Sequence, residues 1–147
     1  MAETLGMLCD KLTIVKLKQY HTVDEDRLKS LGLQSSQLQA EIDEYFADAV
    51  SGNIPVERLS FAANKVFKQA GNEVAEVQGK IGEIFYQLAD VNCRLWHEQE
   101  KVYEFEAVPN DEKNAVVKSL ALLNLERNKC IDAINAAFST IVIHLKS

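Results

Sequence analysis

The 147-residue chain is long enough for one domain with its own core, since a chain of this size typically buries about 68–70% of its unfolded surface. Its formal charge of −6 and its scattered 16 Lys and Arg residues argue against a nucleic-acid-binding protein. Three well-separated cysteines without a CxxC pair favour a reducing, cytoplasmic compartment. The first residues lack the basic region of a secretory signal, and no apolar run of about 18 residues predicts a membrane span.

The first predicted helix covers about residues 3–21 and presents two apolar stripes side by side. Lys11 and Lys18 project between these stripes. Long lysine stems often cover apolar surface while the ammonium group reaches water, so packing is the first interpretation of both residues. Anion binding is the second. The stripes consist of Leu5, Leu8, Leu12 and Val15, and of Met7, Ile14 and Leu17.

The second and third predicted helices follow the same apolar repeat. Acidic residues 24–26 favour the start of the second helix, and the Ser-Gly-Asn-Ile tetrad at residues 51–54 suits its end. The third helix is predicted over residues 55–70, beginning at Pro55. Gly71 and the Asn after it predict a short break before the next helix.

The fourth predicted helix is the longest and covers residues 72–106. Its apolar residues recur at alternating spacings of three and four, which is typical of a helix in a bundle. A row of small residues on the opposite face predicts close approach of a second backbone, from this chain or from a symmetric dimer. A packed thiol is the expected state of Cys93. The small residues are Ala75, Gly79, Gly82, Ala89 and Cys93.

The last predicted helix begins with Asn110 as its N-cap and reaches about Leu145. Short connections make sequential helices antiparallel neighbours. The sequence therefore predicts a single all-α domain over residues 1–147, an antiparallel bundle of four to five helices around a long central helix.

Polar residues interrupt the apolar seams of the last two helices. Asn124 and Arg127 lie within the apolar arc of the last helix, and Asn92 and Gln99 lie beside Trp96 in the central one. If these helices fold back on each other, Asn92 and Asn124 should face one another at one level. Arg127 should then lie one turn deeper.

A buried Arg without a partner costs several kcal/mol, so Arg127 requires a counter-charge. One interpretation is an internal network in which Asp10 or Glu98 supplies that charge. The other is a pocket between helices that binds an anionic small molecule, with two lysines as further cations and an indole as a flat wall. The ligand-binding residues predicted on this basis are Lys11, Lys18, Asn92, Trp96, Gln99, Asn124 and Arg127.

Catalytic chemistry has weaker support in the sequence. Asp10, Glu98 and Glu100 are candidate acids or bases, but no pair has the spacing of a base and its orienting partner. His97, Glu100 and Glu104 share a helix face that is better explained as a solvated charged surface than as a metal site. Neither a metal nor a cofactor is predicted.

Three short motifs resemble a family of small uncharacterised bacterial all-helical proteins, often encoded near surface-polysaccharide and glycosyltransferase genes. The motifs are Asp10-Lys11-Leu12-Thr13-Ile14 with Lys18, Val91-Asn92-x-x-Leu95-Trp96, and Asn124-x-x-Arg127 with Ile134-Asn135. The family pattern has Glu where this chain has Gln99. The resemblance implies a cytoplasmic protein with a polar cluster shared by the first, central and last helices, and it implies no reaction.

The leading hypothesis is a non-catalytic binding or accessory protein with a pocket for an anionic small molecule. A phosphosugar or a nucleotide sugar is the ligand class that the gene neighbourhoods of the family imply. The alternatives are an enzyme that acts on such a ligand through a carboxylate base, and a purely structural module that forms homodimers.

Overall fold

The computed structural model describes residues 3–61 and 76–147, and these residues form four α-helices without any strand. The predicted all-α fold is confirmed. None of the described helices combines the length and hydropathy needed to cross a bilayer. The helices are α1 (Leu5–His21), α2 (Glu25–Ser51), α3 (Ile81–Tyr103) and α4 (Lys113–Lys146), with short 3₁₀ turns at Val56–Arg58 and Phe105–Ala107.

Capping residues fix the ends of the first two helices close to where the sequence predicts them. The hydroxyl of Thr4 accepts the backbone N–H of Met7 at 3.4 Å and so caps α1. The carboxylate of Asp24 accepts the backbone N–H of Arg27 at 2.9 Å and caps α2. Gly52 ends α2 in the left-handed region with φ +87°.

The four helices form an antiparallel bundle in which α1 packs against each of the other three. Gly6 contacts Asn135 and, one turn later, Asp10 contacts Arg127, so α1 and α4 run in opposite directions. An ion pair of Arg94 with Glu126 joins α3 to α4. The core between these helices is aliphatic, and its fully buried members include Leu5, Leu59, Leu88, Val91, Ile134 and Val142.

The predicted central helix is shorter than the sequence pattern suggests. It begins at Ile81 rather than at residue 72, because residues 76–80 are not helical and Gly79 has a φ of +129°. A positive φ of this size suits only glycine, so Gly79 serves the entry into α3 and not close helix packing. The first part of the prediction, including Ala75, lies outside the described residues.

The predicted row of small residues is therefore not a packed face. A Cβ atom added at Gly82 would have no neighbour within 4 Å, and Cys93 is exposed rather than packed. The prediction of a packed Cys93 thiol is wrong, because Cys93 lines an open groove between α1 and α3.

Two further helix boundaries differ from the prediction. Residues 56–58 form only a 3₁₀ turn and residues 59–61 are not helical, whereas the rest of the predicted third helix lies outside the described residues. The last helix begins after Glu112 instead of Asn110. The backbone N–H of Glu112 bonds the carbonyl of Pro109 at 2.9 Å, so a turn occupies the residues predicted as the first helical turn.

Candidate functional site

An ion pair between a buried carboxylate and a half-buried guanidinium joins α1 to α4. Asp10 of α1 is almost completely buried, and Arg127 of α4 binds it with two hydrogen bonds. Arg127 Nε donates to Asp10 Oδ1 at 2.8 Å, and Arg127 Nη2 donates to Asp10 Oδ2 at 2.5 Å. The hydrogen bonds to Asp10, together with its negative charge, raise the pKa of Arg127 although partial burial opposes the charged form.

Asn92 of α3 completes this arrangement. Its amide nitrogen donates to Asp10 Oδ1 at 3.0 Å and to Thr13 Oγ1 at 2.7 Å, which uses both amide protons. The Thr13 hydroxyl in turn donates to the backbone carbonyl of Asp10 at 2.8 Å. Asp10, Thr13, Asn92 and Arg127 form what we call the Asp10 cluster, which joins α1, α3 and α4. Of the predicted internal network it contains Asn92, Arg127 and the counter-charge Asp10.

Two of the three predicted amide side chains, those of Asn124 and Gln99, lie outside the Asp10 cluster. Asn124 is half-buried, and its backbone carbonyl accepts the side-chain amide of Asn128 at 2.8 Å. Asn92 forms no hydrogen bond with Asn124, because its amide donates to the Asp10 carboxylate, which is a stronger acceptor than a neutral amide. Gln99 is exposed on the surface of α3.

The three candidate acids or bases do not converge. Both carboxylate oxygens of Asp10 are engaged by Arg127, and Glu98 pairs with Lys101 at 3.0 Å on its own helix. Glu100 is exposed and lines a groove that does not include Asp10. Within residues 3–61 and 76–147, no three His, Cys, Asp or Glu side chains could hold a metal ion.

A long groove of about 820 Å³ runs between α1 and α2, with α4 at its base. Lys11, Lys18 and Arg127 line it, but three carboxylates line it as well. Lys11 pairs with Glu3, as Arg127 pairs with Asp10. Lys18 is the remaining cation of this groove, and it forms no ion pair among the residues that the structure describes. The carboxylates are those of Glu3, Asp10 and Glu41.

A second groove of about 490 Å³ adjoins the first and shares Lys18 and Gln34 with it. We call it the cationic groove, because Lys18 and Arg27 line it and none of its described lining residues is acidic. Trp96 lies at its far end, where the indole stacks on the imidazole of His21 with ring centroids 4.9 Å apart and planes inclined by 14°. Its lining consists of Lys18, His21, Thr22, Arg27, Ser30, Leu31, Gln34 and Trp96.

The structure thus places the predicted cations and Trp96 in two grooves, and none of the three predicted amides in either of them. Lys11, Lys18 and Arg127 line the long groove, and Lys18 continues into the cationic groove with Trp96. The sequence analysis missed His21, at the end of α1, and Arg27, near the start of α2. Their adjacency across a short connection was the one signal that could have indicated them.

A comparison of the chain with protein-family models, with curated proteins and with solved structures gives no match. The geometry of the grooves is therefore the basis on which a function is assigned.

Proposed function

We propose that the protein is a non-catalytic binding protein that holds an anionic small molecule in the cationic groove. One observation supports this above all: Lys18 and Arg27 face the same concavity without an acidic residue among its described lining. In the long groove, by contrast, the three cations face three carboxylates. Of these two grooves, the cationic groove is therefore the one in which positive charge faces no carboxylate among the described lining residues.

The rest of the groove suits a phosphate or carboxylate group. The hydroxyls of Thr22 and Ser30 and the amide of Gln34 line it, and each can donate a hydrogen bond to an anionic oxygen. A groove of about 490 Å³ falls within the range of roughly 300–1,000 Å³ that is usual for small-molecule sites. The acidic first turn of α2, residues 24–26, is not part of the lining.

This proposal changes the role expected for Arg127. Its guanidinium binds Asp10, so the charge for the ligand comes from Lys18 and Arg27 instead. A phosphosugar or a nucleotide sugar, in a bacterial and cytoplasmic setting, is the part of the proposal that depends on the family resemblance. The three free cysteines support a reducing compartment. Homodimer formation stays a prediction, which sedimentation velocity at micromolar concentration would test.

Calorimetric titration tests the binding proposal. Inorganic phosphate, glucose 1-phosphate and UDP-glucose would each be added to the full chain at low salt. Lys18→Gln and Arg27→Gln should each weaken binding about tenfold, since a hydrogen bond to a charged group contributes roughly 1.5–3 kcal/mol. Affinity should also fall as salt is added, because the cations are solvent-accessible.

Lys118→Gln is the matched control, because it removes one exposed lysine from α4 away from the groove. It should leave the affinity unchanged. If it weakened binding as much as Lys18→Gln, the attraction would be to net charge and not to a site. If none of the three anions bound at millimolar concentration, the proposal would be wrong.

A further inference from the structure

A third groove, which we call the aromatic groove, lies between α1 and α3 and has a volume of about 540 Å³. It meets the cationic groove at His21 and Trp96, since these two residues line both. The stacked rings of His21 and Trp96 therefore form a shared rim. On one side lies the cationic groove, and on the other lies a groove lined mainly by aromatic and apolar side chains.

The aromatic groove offers flat apolar surface with little charge. The ring of Tyr20 packs edge-on against His21 at a centroid distance of 5.2 Å and an interplanar angle of 80°, next to the His21–Trp96 stack. Leu17 and Ala89 also line the groove. Tyr20 is 82% exposed, so this ring cluster is open to a ligand. Such surfaces favour planar rings, which stack on aromatic side chains.

Two polar side chains of the same groove could form hydrogen bonds with the edge of a bound ring. Lys16 and Glu100 lie in its lining, one able to donate a hydrogen bond and the other able to accept one. A heteroaromatic ring presents both acceptors and donors at its edge.

We propose that the ligand of the cationic groove carries a planar heteroaromatic ring that extends into the aromatic groove. The ligand class is then an aromatic anion such as a nucleotide, with the phosphate at Lys18 and Arg27 and the ring beside Trp96. This inference rests on the proposed function and narrows it, because a simple sugar phosphate would fill only the cationic groove.

The test compares AMP with ribose 5-phosphate by calorimetry on the full chain, since the two share a phosphate and differ by the base. AMP should bind about tenfold more tightly, which corresponds to about 1.4 kcal/mol. Ala89→Leu adds bulk to the aromatic groove and should remove this difference while leaving the affinity for ribose 5-phosphate unchanged. Gln99→Leu, on the same helix but outside the grooves, is the control and should affect neither ligand.

Cys93 provides an independent readout, because it lines the aromatic groove and is exposed. Cys9 and Cys130 are buried, and burial raises the pKa of the first to about 12 and of the second to about 11, so both thiols stay protonated and unreactive. Bound AMP should slow the alkylation of Cys93 by a maleimide. Ribose 5-phosphate should not.

The outcomes separate this inference from the proposed function. Equal affinities for the two ligands, or equal loss of both in Ala89→Leu, would overturn the aromatic assignment and leave the anion site standing. Equal protection of Cys93 by both ligands would overturn it as well. Failure of both ligands to bind at millimolar concentration would overturn the anion site and, with it, this inference.

Discussion

The Asp10 cluster and the cationic groove use the same kinds of side chain for opposite purposes. In the cluster, Arg127 is half-buried and its charge is matched by the two oxygens of Asp10. In the groove, Arg27 and Lys18 are exposed, and neither forms an ion pair within the described part of the chain. The cluster holds three helices together, whereas the groove keeps positive charge to which an anionic ligand can bind.

Desolvation explains why the two regions differ. A cation between helices loses most of its hydration and is tolerated only with a charged, hydrogen-bonded partner from the same fold. A cation at an open rim keeps its water and needs no such partner, so an incoming anion can replace that water. An arginine in an apolar seam is therefore better evidence for helix positioning than for binding.

Replacing the two arginines tests this contrast most directly and should give the largest effect. Arg127→Met leaves the Asp10 carboxylate buried without its counter-charge, and we expect a loss of about 3–5 kcal/mol in the free energy of unfolding. Arg27→Gln removes an exposed charge and should change the same quantity by no more than about 0.5 kcal/mol. Urea unfolding of both variants, without added phosphate, measures the difference.

A double variant serves as the control for that experiment. Asp10→Leu combined with Arg127→Met replaces the ion pair by apolar side chains, which is often neutral in buried positions. It should recover part of the stability lost in Arg127→Met alone, because the buried Asn92 amide loses its Asp10 acceptor in the double variant. Equal stability of wild type and Arg127→Met would mean that Arg127 does not hold the helices together.

Alanine substitutions at two glycines compare the tight packing of α1 against α4 with the open surface of α2. Gly6 lies one turn before Asp10 and donates its N–H to Asn135 Oδ1 at 2.8 Å. A Cβ atom there would come within 2.4 Å of the Ile131 carbonyl oxygen, so Gly6→Ala must push α1 away from α4. We expect a loss of about 1–3 kcal/mol in thermal or urea unfolding.

Gly32→Ala is the matched substitution on α2. No atom lies within 4 Å of a Cβ added at Gly32, and alanine is the better helix former by roughly 0.5–1 kcal/mol. This variant should therefore be slightly more stable than the wild type. A similar loss of stability in both variants would show that the contact of α1 with α4 is no tighter than the surface of α2.

The last prediction concerns alkaline pH. Burial, with the charge of Asp10 as a lesser cause, raises the pKa of Cys9 from the usual 9.0 to about 12. Above pH 9 the unfolded chain loses this proton while the folded chain retains it, so the free energy of unfolding should fall as the pH rises from 9 towards 12. The contribution of Cys9 to this slope is at most about 1.4 kcal/mol per pH unit.

Urea unfolding of wild type and Cys9→Ala between pH 8 and pH 10 isolates that contribution. The variant should show a shallower decline with pH, whatever its stability at pH 8. Cys93→Ala, which removes an exposed thiol, is measured alongside as the matched cysteine substitution. Identical slopes in all three proteins would contradict the burial of the Cys9 thiol beside Asp10.

Much of the fold follows from local pattern. The apolar repeat predicts the helices, and Thr4, Asp24 and Gly52 mark ends that depend only on neighbouring backbone groups. The entry into α3 was harder to predict, because a glycine within an apolar repeat suits both a helix interior and the positive φ that Gly79 adopts. Only packing of the surrounding chain distinguishes these two conformations.

The candidate site could likewise be predicted only in part from the sequence. The sequence pattern identifies Arg127 and Asn92 as polar residues in apolar seams, and Asp10 as one of two possible counter-charges. It could not assign the partners, because the hydrogen bonds that join different helices in the Asp10 cluster connect residues 79 to 117 positions apart in the chain. The position of Arg27 beside Lys18 likewise depends on how α1 and α2 pack.

The sequence by itself determined that this chain forms a helical bundle with a polar interruption at its centre, since helical periodicity and the cost of burying charge are local properties. Only the tertiary structure decided which cations have a carboxylate partner and which could bind a ligand. A charge is neutralised by whatever the fold brings within hydrogen-bonding distance, and that distance depends on the register of three helices. For this reason Arg127 stabilises the packing of the helices, whereas Lys18 and Arg27 are the residues on which the proposed binding depends.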